Sequence, residues 1–355
     1  MGAATETYPI SSTKFTPSHG IVVPTMMVVG WLCLALVSTW IWPDVTQSGL
    51  STFGTYLKHA SGNAVVMGGM GVAVGLLVIA RRYPDLSLKR AVSSFLKNYG
   101  DSVPVTLGRA SIGLIAFAAF LYAYSTIKVR IPEMAPFSWD ARFAEWDRAV
   151  FLGRDAWMAF AWIYDFPWAV RALGKLYDVW AGLLVAAWML PFLMSAEGGA
   201  ANAMRFRFPV ALLLVWFVGG NVMALWMSSA GPVYFEPVVG TGLYNDQLEI
   251  LSGLSLVATD YQAMLWDVYE GPGLGVGGIS AMPSMHCATS LLFVCALWNR
   301  PVWRAVAMVF SVVIWASSII LAWHYAVDGL VAIPLVILCW WAAGKMVRRV
   351  AGTAS

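Results

Sequence analysis

Read only for its hydrophobic and polar positions, the chain is a series of long apolar runs divided by short polar ones. Eight runs stand out, at roughly 21–43, 64–80, 104–127, 176–195, 208–228, 285–298, 303–323 and 326–347. A hydrocarbon core of about 30 Å needs about 20 apolar residues of helix, and most of these runs approach that length. The sixth is short and begins at Pro283. The pattern predicts an all-α integral membrane protein of about eight transmembrane helices. Two further stretches mix apolar with charged positions and read as helices lying in the interface, 86–99 (LSLKRAVSSFLKNY) and 138–166. No internal repeat interrupts the chain. Residues 1–100 read as a polar tail, two extra transmembrane helices and an interfacial helix, and 101–350 as a six-helix membrane domain.

Composition agrees with this reading. Of 355 residues, 59% are hydrophobic and 12% charged, about half the usual charged share of a soluble domain. Many of the 19 Trp sit at the ends of apolar runs, as Trp40, Trp168, Trp298 and Trp341 do. There an amphipathic ring is half wet, although packing explains any single Trp equally well. The four cysteines lie in apolar stretches without CxxC spacing, which points to packing rather than metal binding or disulfides. About 20 mostly polar residues precede the first run with no small-residue cleavage site closing it, so the start does not read as a cleaved signal. No basic run marks a nucleic-acid partner.

Loop charge gives an orientation. With the N-terminus inside, the short inner segments hold clusters such as Arg81, Arg82, Lys89 and Arg90, then Arg205 and Arg207, then Lys345, Arg348 and Arg349. From Phe208 through Asn299 there is no Lys or Arg. Positive residues accumulate on the cytoplasmic side. Both termini are therefore expected inside a plasma or inner membrane, and the loops before the sixth and eighth runs on the outer, periplasmic or extracytoplasmic, face.

Those two places carry the candidate chemistry. In GGISAMPSMHCATS (277–290), Gly-rich backbone runs through Pro283 into an apolar helix. Free N–H groups and the partial positive charge of a helix start suit a phosphate, Ser284 adds a hydroxyl, and His286 follows one turn in. A capped helix with an incidental His is the plainer alternative. In AWHYAVDGLVAIP (322–334), His324 and Asp328 are spaced i, i+4. A carboxylate at that spacing can fix the imidazole tautomer and stabilise its cation. A purely structural His–Asp pair is the alternative, but ionisable residues at the head of a membrane helix are costly and point to function. Together the residues fill a complete set of roles without a metal or cofactor. His324 is the nucleophile, Asp328 its orienting partner and His286 the acid and base; Ser284 and the helix start hold the phosphoryl oxygens. A zinc site on His286, His324 and Asp328 ranks far lower, because no motif such as HExxH accompanies them.

PSMH at 283–286 and HYAVD at 324–328 resemble the type 2 phosphatidic acid phosphatase superfamily, whose motifs read PSGH and SRxxxxxHxxxD. The resemblance spans roughly 104–347 and implies a six-helix core and a phosphohistidine intermediate. Departures from the motifs are specific. Met285 replaces the Gly, Ser317 and Ser318 stand at the SR pair, and no KxxxxxxRP motif falls on the outer side, so the usual phosphate-binding cations are missing. The pattern looks closest to the branch of inositol phosphorylceramide synthase and the sphingomyelin synthases, which favour HY at the nucleophile. By that likeness Tyr325, and Tyr234 within SAGPVYF (229–235), are candidate substrate-binding residues. Arg148 in EWDRAVFLGRDAW is the first candidate for a replacement cation, with Arg142, Arg154, Arg171 and Lys175 behind it; membrane anchoring accounts for each equally well.

The expected activity is that of a membrane phosphotransferase. It moves a phosphate-bearing headgroup from a lipid or lipid-linked donor to a hydroxyl of a lipid or glycan, so membrane lipids are its partners. A phosphatase for lipid phosphates or polyprenyl pyrophosphates is the nearest alternative, and a lipid transporter reusing the fold is the alternative of another class. The stretch 236–270 carries six acidic residues and no basic one, and reads as an acidic loop. The glycines Gly271, Gly273, Gly275, Gly277 and Gly278 make the stretch before the site flexible, and it reads as a lid.

Overall fold

A computed structural model of the chain describes residues 22–41, 49–82, 87, 89, 103–194, 204–271 and 277–352. Helices stand at all eight apolar runs: α1 (Val22–Ile41), α2 (Gly49–Arg82), α3 (Val103–Lys128), α5 (Pro167–Leu193), α6 (Arg207–Phe217), α8 (Met285–Ala296), α9 (Pro301–Ile320) and α10 (Ala326–Gly352). Between them come α4 (Asp140–Val150) and α7 (Val257–Glu270). Among the described residues, the stretches Val103–Met134, Pro167–Leu193, Arg207–Trp226, Pro301–Ile320 and Ala326–Val350 are long and apolar enough to cross a membrane, and Pro24–Val37 and Met285–Ala296 are shorter apolar helices. On α9, Val302, Val306, Val309 and Val312 project outward at helical spacing, each more than half exposed. A continuous apolar outer face of this kind has lipid as its solvent. The protein is an all-α integral membrane protein.

The core is knit by rings. Trp188, fully buried, stacks on Phe120 at 6.0 Å and donates its indole N–H to the Gly113 carbonyl at 2.9 Å, joining α5 to α3. Trp31 of α1 meets Phe120, Tyr124 and Phe217 edge-on at 5.5–5.9 Å, so the first helix shares the same core. Helix α2 packs on both α3 and α5. After Phe217 the helix widens into one π turn, Val218–Met223, before closing at Ala224–Trp226.

Three expectations need correction or placement. Residues 138–166 are not one interfacial helix. Leu152 and Gly153 take positive φ (57° and 89°), ending α4, and the chain resumes as a 3₁₀ helix over Ala156–Asp165. The acidic stretch 236–270 is largely helical, with Asn245–Ser252 and α7 inside it. The expected interfacial helix at 86–99 and the centre of the glycine-rich lid, 272–276, lie outside the described residues apart from positions 87 and 89.

Candidate active site

Ser284 ends an extended segment and caps α8, its Oγ accepting the Cys287 N–H at 3.4 Å. This is the ordinary N-cap role of serine, satisfying one orphan donor of the first turn. The Ser284 N–H donates in turn to the Asp328 carbonyl at 3.2 Å, so the two motif segments meet main chain to main chain.

Asp328 lies in the first turn of α10 and is fully buried. Its Oδ2 accepts the Tyr325 N–H at 3.0 Å and sits 3.1 Å from His324 Nδ1. The contact assigns the Nδ1 proton to the carboxylate side and leaves Nε2 for chemistry. The Ala281 carbonyl also lies within hydrogen-bonding reach of the His324 ring. His286 is gripped between the rings of Tyr177 (4.2 Å, stacked) and Trp180 (4.1 Å), which leaves the imidazole little freedom to turn. The His286 and His324 ring centres are 6.3 Å apart.

Both histidines line one cavity of about 600 Å³. Its walls are aromatic and apolar: Tyr124, Tyr177, Trp180, Trp216, Tyr234 and Trp323, with Val257, Ala258, Tyr261, Met264 and Leu265 of α7 forming a roof. Asn63 of α2 and Asp178 of α5 also reach it, as does Lys128, which ends α3 with its ammonium 5.6 Å from the centre of the Tyr124 ring. Among the described residues, no group of three or more His, Cys, Asp or Glu side chains gathers as metal ligands.

The segment 228–235 locks the two motifs together. Ser229 accepts the Ala281 N–H with its carbonyl (2.9 Å) and the Met282 N–H with its hydroxyl (3.3 Å), while the Val233 N–H donates to the Ala322 carbonyl (3.1 Å). Gly231 turns the chain at φ 102°, where a Cβ would lie 2.8 Å from the Trp323 carbonyl, so no larger residue fits.

Two carboxylates of α4, both buried, reach into this junction. Asp140 accepts the Ala230 and Gly231 N–H groups at 2.8–3.0 Å and the Tyr325 hydroxyl at 2.8 Å. Asp147 accepts the Ala326 and Val327 N–H groups at 2.8 and 2.9 Å, the first two of α10. Burial raises the pKa of both. The N–H groups on Asp140 oppose the rise. Asp147, with Asp328 and Asp155 adding to the effect of burial against its own N–H partners, is pushed up to about 7.

The residues singled out from sequence therefore separate. His286, His324 and Tyr234 line the cavity, with Asp328 directly behind His324. Tyr234 stacks on Trp266 at 5.0 Å and gives its hydroxyl to the Gln262 carbonyl. Ser284 is buried as a cap and Tyr325 is tied to Asp140; neither is part of the cavity lining. Arg148 is also outside it, paired with Asp155 at 2.6 Å, and that carboxylate holds its guanidinium pKa above the usual value. The cation that does face the histidines, Lys128, was visible in the sequence only as one more outer-loop charge. Its signal was its position, directly after the third apolar run, 104–127.

The PAP2 superfamily model matches residues 141–342, more than half of the chain. The chain belongs to the PAP2 superfamily. The match runs from within α4 into α10 and contains both histidine motifs, while α1, α2, α3 and Lys128 precede it. No curated protein and no solved structure matches the chain. Superfamily members are phosphatases or phosphotransferases, and this chain is a membrane enzyme of that kind.

Proposed function

We propose that this PAP2 protein is a phosphotransferase that passes a phosphate-bearing headgroup from a donor lipid to a hydroxyl acceptor through phosphorylated His324. The observation that carries the reading is the pair of imidazoles facing one cavity with their centres 6.3 Å apart. Two imidazoles facing one cavity at that separation can flank a single phosphoryl group, one approaching phosphorus and the other the leaving oxygen.

In the first half-reaction neutral His324, with its ring proton on Nδ1 toward Asp328, forms the N–P bond through the Nε2 lone pair. The P–O bond to the donor breaks, and protonated His286 gives its proton to the leaving oxygen. In the second half, neutral His286 takes the proton of the acceptor hydroxyl, the acceptor oxygen bonds to phosphorus and the N–P bond breaks. Asp328 stabilises the cationic ring between the two steps. Lys128 meets the phosphoryl charge in place of the arginine that the motifs lack. The apolar roof of α7 suits acyl chains, and the loop-charge bias supports an outward-facing cavity.

Lys128 also favours a second reading. With a cation available, water can serve as acceptor, and the enzyme is then a lipid phosphatase. One experiment separates the two. Wild type and His324→Ala in liposomes receive phospholipids radiolabelled in the headgroup phosphate, with and without hydroxyl-bearing acceptor lipids. Label entering a new lipid only with wild type supports transfer, whereas label released as free phosphate makes the enzyme a phosphatase. Equal behaviour of wild type and variant across these lipids sinks both.

A further inference from the structure

Helix α10 begins with an unusual division of labour. A helix start leaves its first N–H groups without intrahelical partners. In a capping box, the side chain of the N-cap residue takes an N–H of the first turn, and the acidic side chain at the third position takes the N-cap N–H. Here the third residue, Asp328, does its half, accepting the Tyr325 N–H at 3.0 Å. The N-cap residue, Tyr325, cannot do the other half, because its side chain is turned away and its hydroxyl is held by Asp140 at 2.8 Å. The Ala326 and Val327 N–H groups go instead to Asp147, about 180 residues earlier in the chain. Asp140 and Asp147 are two helical turns apart, so one face of α4 supplies both contacts.

The arrangement matters because Asp328 is the nearest other carboxylate at that helix start, and it is also the partner of His324. Two buried N–H groups without Asp147 are donors in search of an acceptor, and Asp328, in the same first turn with its Oδ1 unpaired among the described residues, is the acceptor at hand. We propose that Asp147, assisted by Asp140 through Tyr325, is a positioning residue. By taking the first-turn N–H groups of α10 it keeps Asp328 committed to His324 and so sets the nucleophilicity of that imidazole. The groups facing Asp147 are Asp328 from α10, Tyr244 from the stretch before Asn245–Ser252, and Asp155 and Arg148 from the turn after α4. Apart from Arg148, which is already paired with Asp155, none of these is a cation able to substitute for the N–H contacts.

The proposal rests on His324 as the reactive imidazole, so its test reads that ring directly and needs no substrate. Detergent-solubilised wild type, Asp147→Asn and Asp147→Glu are treated with diethyl pyrocarbonate over a pH series, and modification of His324 and His286 is followed separately by mass spectrometry. In Asp147→Asn the amide oxygen keeps one N–H group while the amide donor faces the other, and Asp328 is drawn to that orphaned N–H. His324 modification then slows about tenfold relative to His286, and its pH midpoint moves down, because an imidazole that loses its carboxylate partner is easier to deprotonate. Asp147→Glu keeps a carboxylate and recovers most of the rate. A folded Asp147→Asn with the wild-type His324 rate and midpoint overturns the proposal. If that variant does not fold, Asp147→Ser, whose short hydroxyl cannot take both N–H groups, carries the test. A downward shift of the His324 midpoint supports the proposal, and an unchanged one overturns it.

Discussion

The Ser284 N–H and the Asp328 carbonyl are joined by a 3.2 Å hydrogen bond, so the helix that carries His286 and the helix that carries Asp328 start from one point. The distance between the two imidazoles is thus fixed by main chain, with Ser229 and Gly231 bracing the junction from outside.

That fixed spacing predicts different failures for the two histidines. His324→Ala leaves no nitrogen to phosphorylate, and labelled donor leaves no acid-labile phosphate on the protein. His286→Ala retains the nucleophile and loses proton transfer, a loss of about 10²–10⁴-fold with an alkyl leaving group. With a nitrophenyl leaving group, which needs no proton, the deficit shrinks. Rapid-quench measurement of labelled protein with both donor types tests this; an equal deficit with both denies His286 the acid role.

Lys128 is expected to act through charge. Lys128→Met removes a cation from the cavity wall at nearly constant length, and a hydrogen bond to a charged group contributes about 1.5–3 kcal/mol. The loss in kcat/KM is then about 10–100-fold, with Lys128→Arg retaining more activity than Lys128→Met. In the same assay Arg148→Met has the smaller effect, since Arg148 is paired with Asp155 outside the cavity lining.

Asp147 carries a pH signature in stability. Its carboxyl is raised to about 7 in the folded protein against 3.8 when exposed. Between about pH 4 and 7 the folded state holds a proton that the unfolded chain has released, so this group makes stability fall as pH rises through that window and level off above it. Asp147→Asn removes the contribution. Thermal melting in detergent at pH 4.5, 6 and 7.5 should show a flatter pH dependence for the variant, and parallel curves contradict the assignment.

Gly329 follows Asp328 directly, and a Cβ there would overlap the Trp315 ring, whose indole N–H donates to the Ala326 carbonyl at 2.9 Å. Gly329→Ala must push that ring aside, and overpacking of this kind costs about 1–3 kcal/mol. A melting temperature several degrees below wild type is expected, together with reduced activity. A variant as stable as wild type means that Trp315 yields freely.

What was legible in the sequence was local. The apolar runs fixed the helices because each satisfies its own backbone in lipid, and His324 with Asp328 was readable because i, i+4 on one helix needs no tertiary knowledge. Asp140 and Asp147 were not readable, since their partners at 230–231 and 325–327 lie between 90 and 185 residues away. EWDRAVFLGRDAW offers Arg148 as a phosphate cation, while the adjacent Asp147 holds the start of α10. Composition gave no sign of which charge faced inward. The break at Leu152 and Gly153 was equally hidden, because the flanking polarity reads the same for one bent segment as for one straight helix.

The main-chain tie between Ser284 and Asp328 has a practical side. It depends on no side chain of the reacting pair, so a protein disabled at His324 should keep its cavity intact. Such an inert copy can hold an unreacted lipid long enough to be pulled from native membranes, and the molecule that travels with it would name the donor without any prior guess at a substrate.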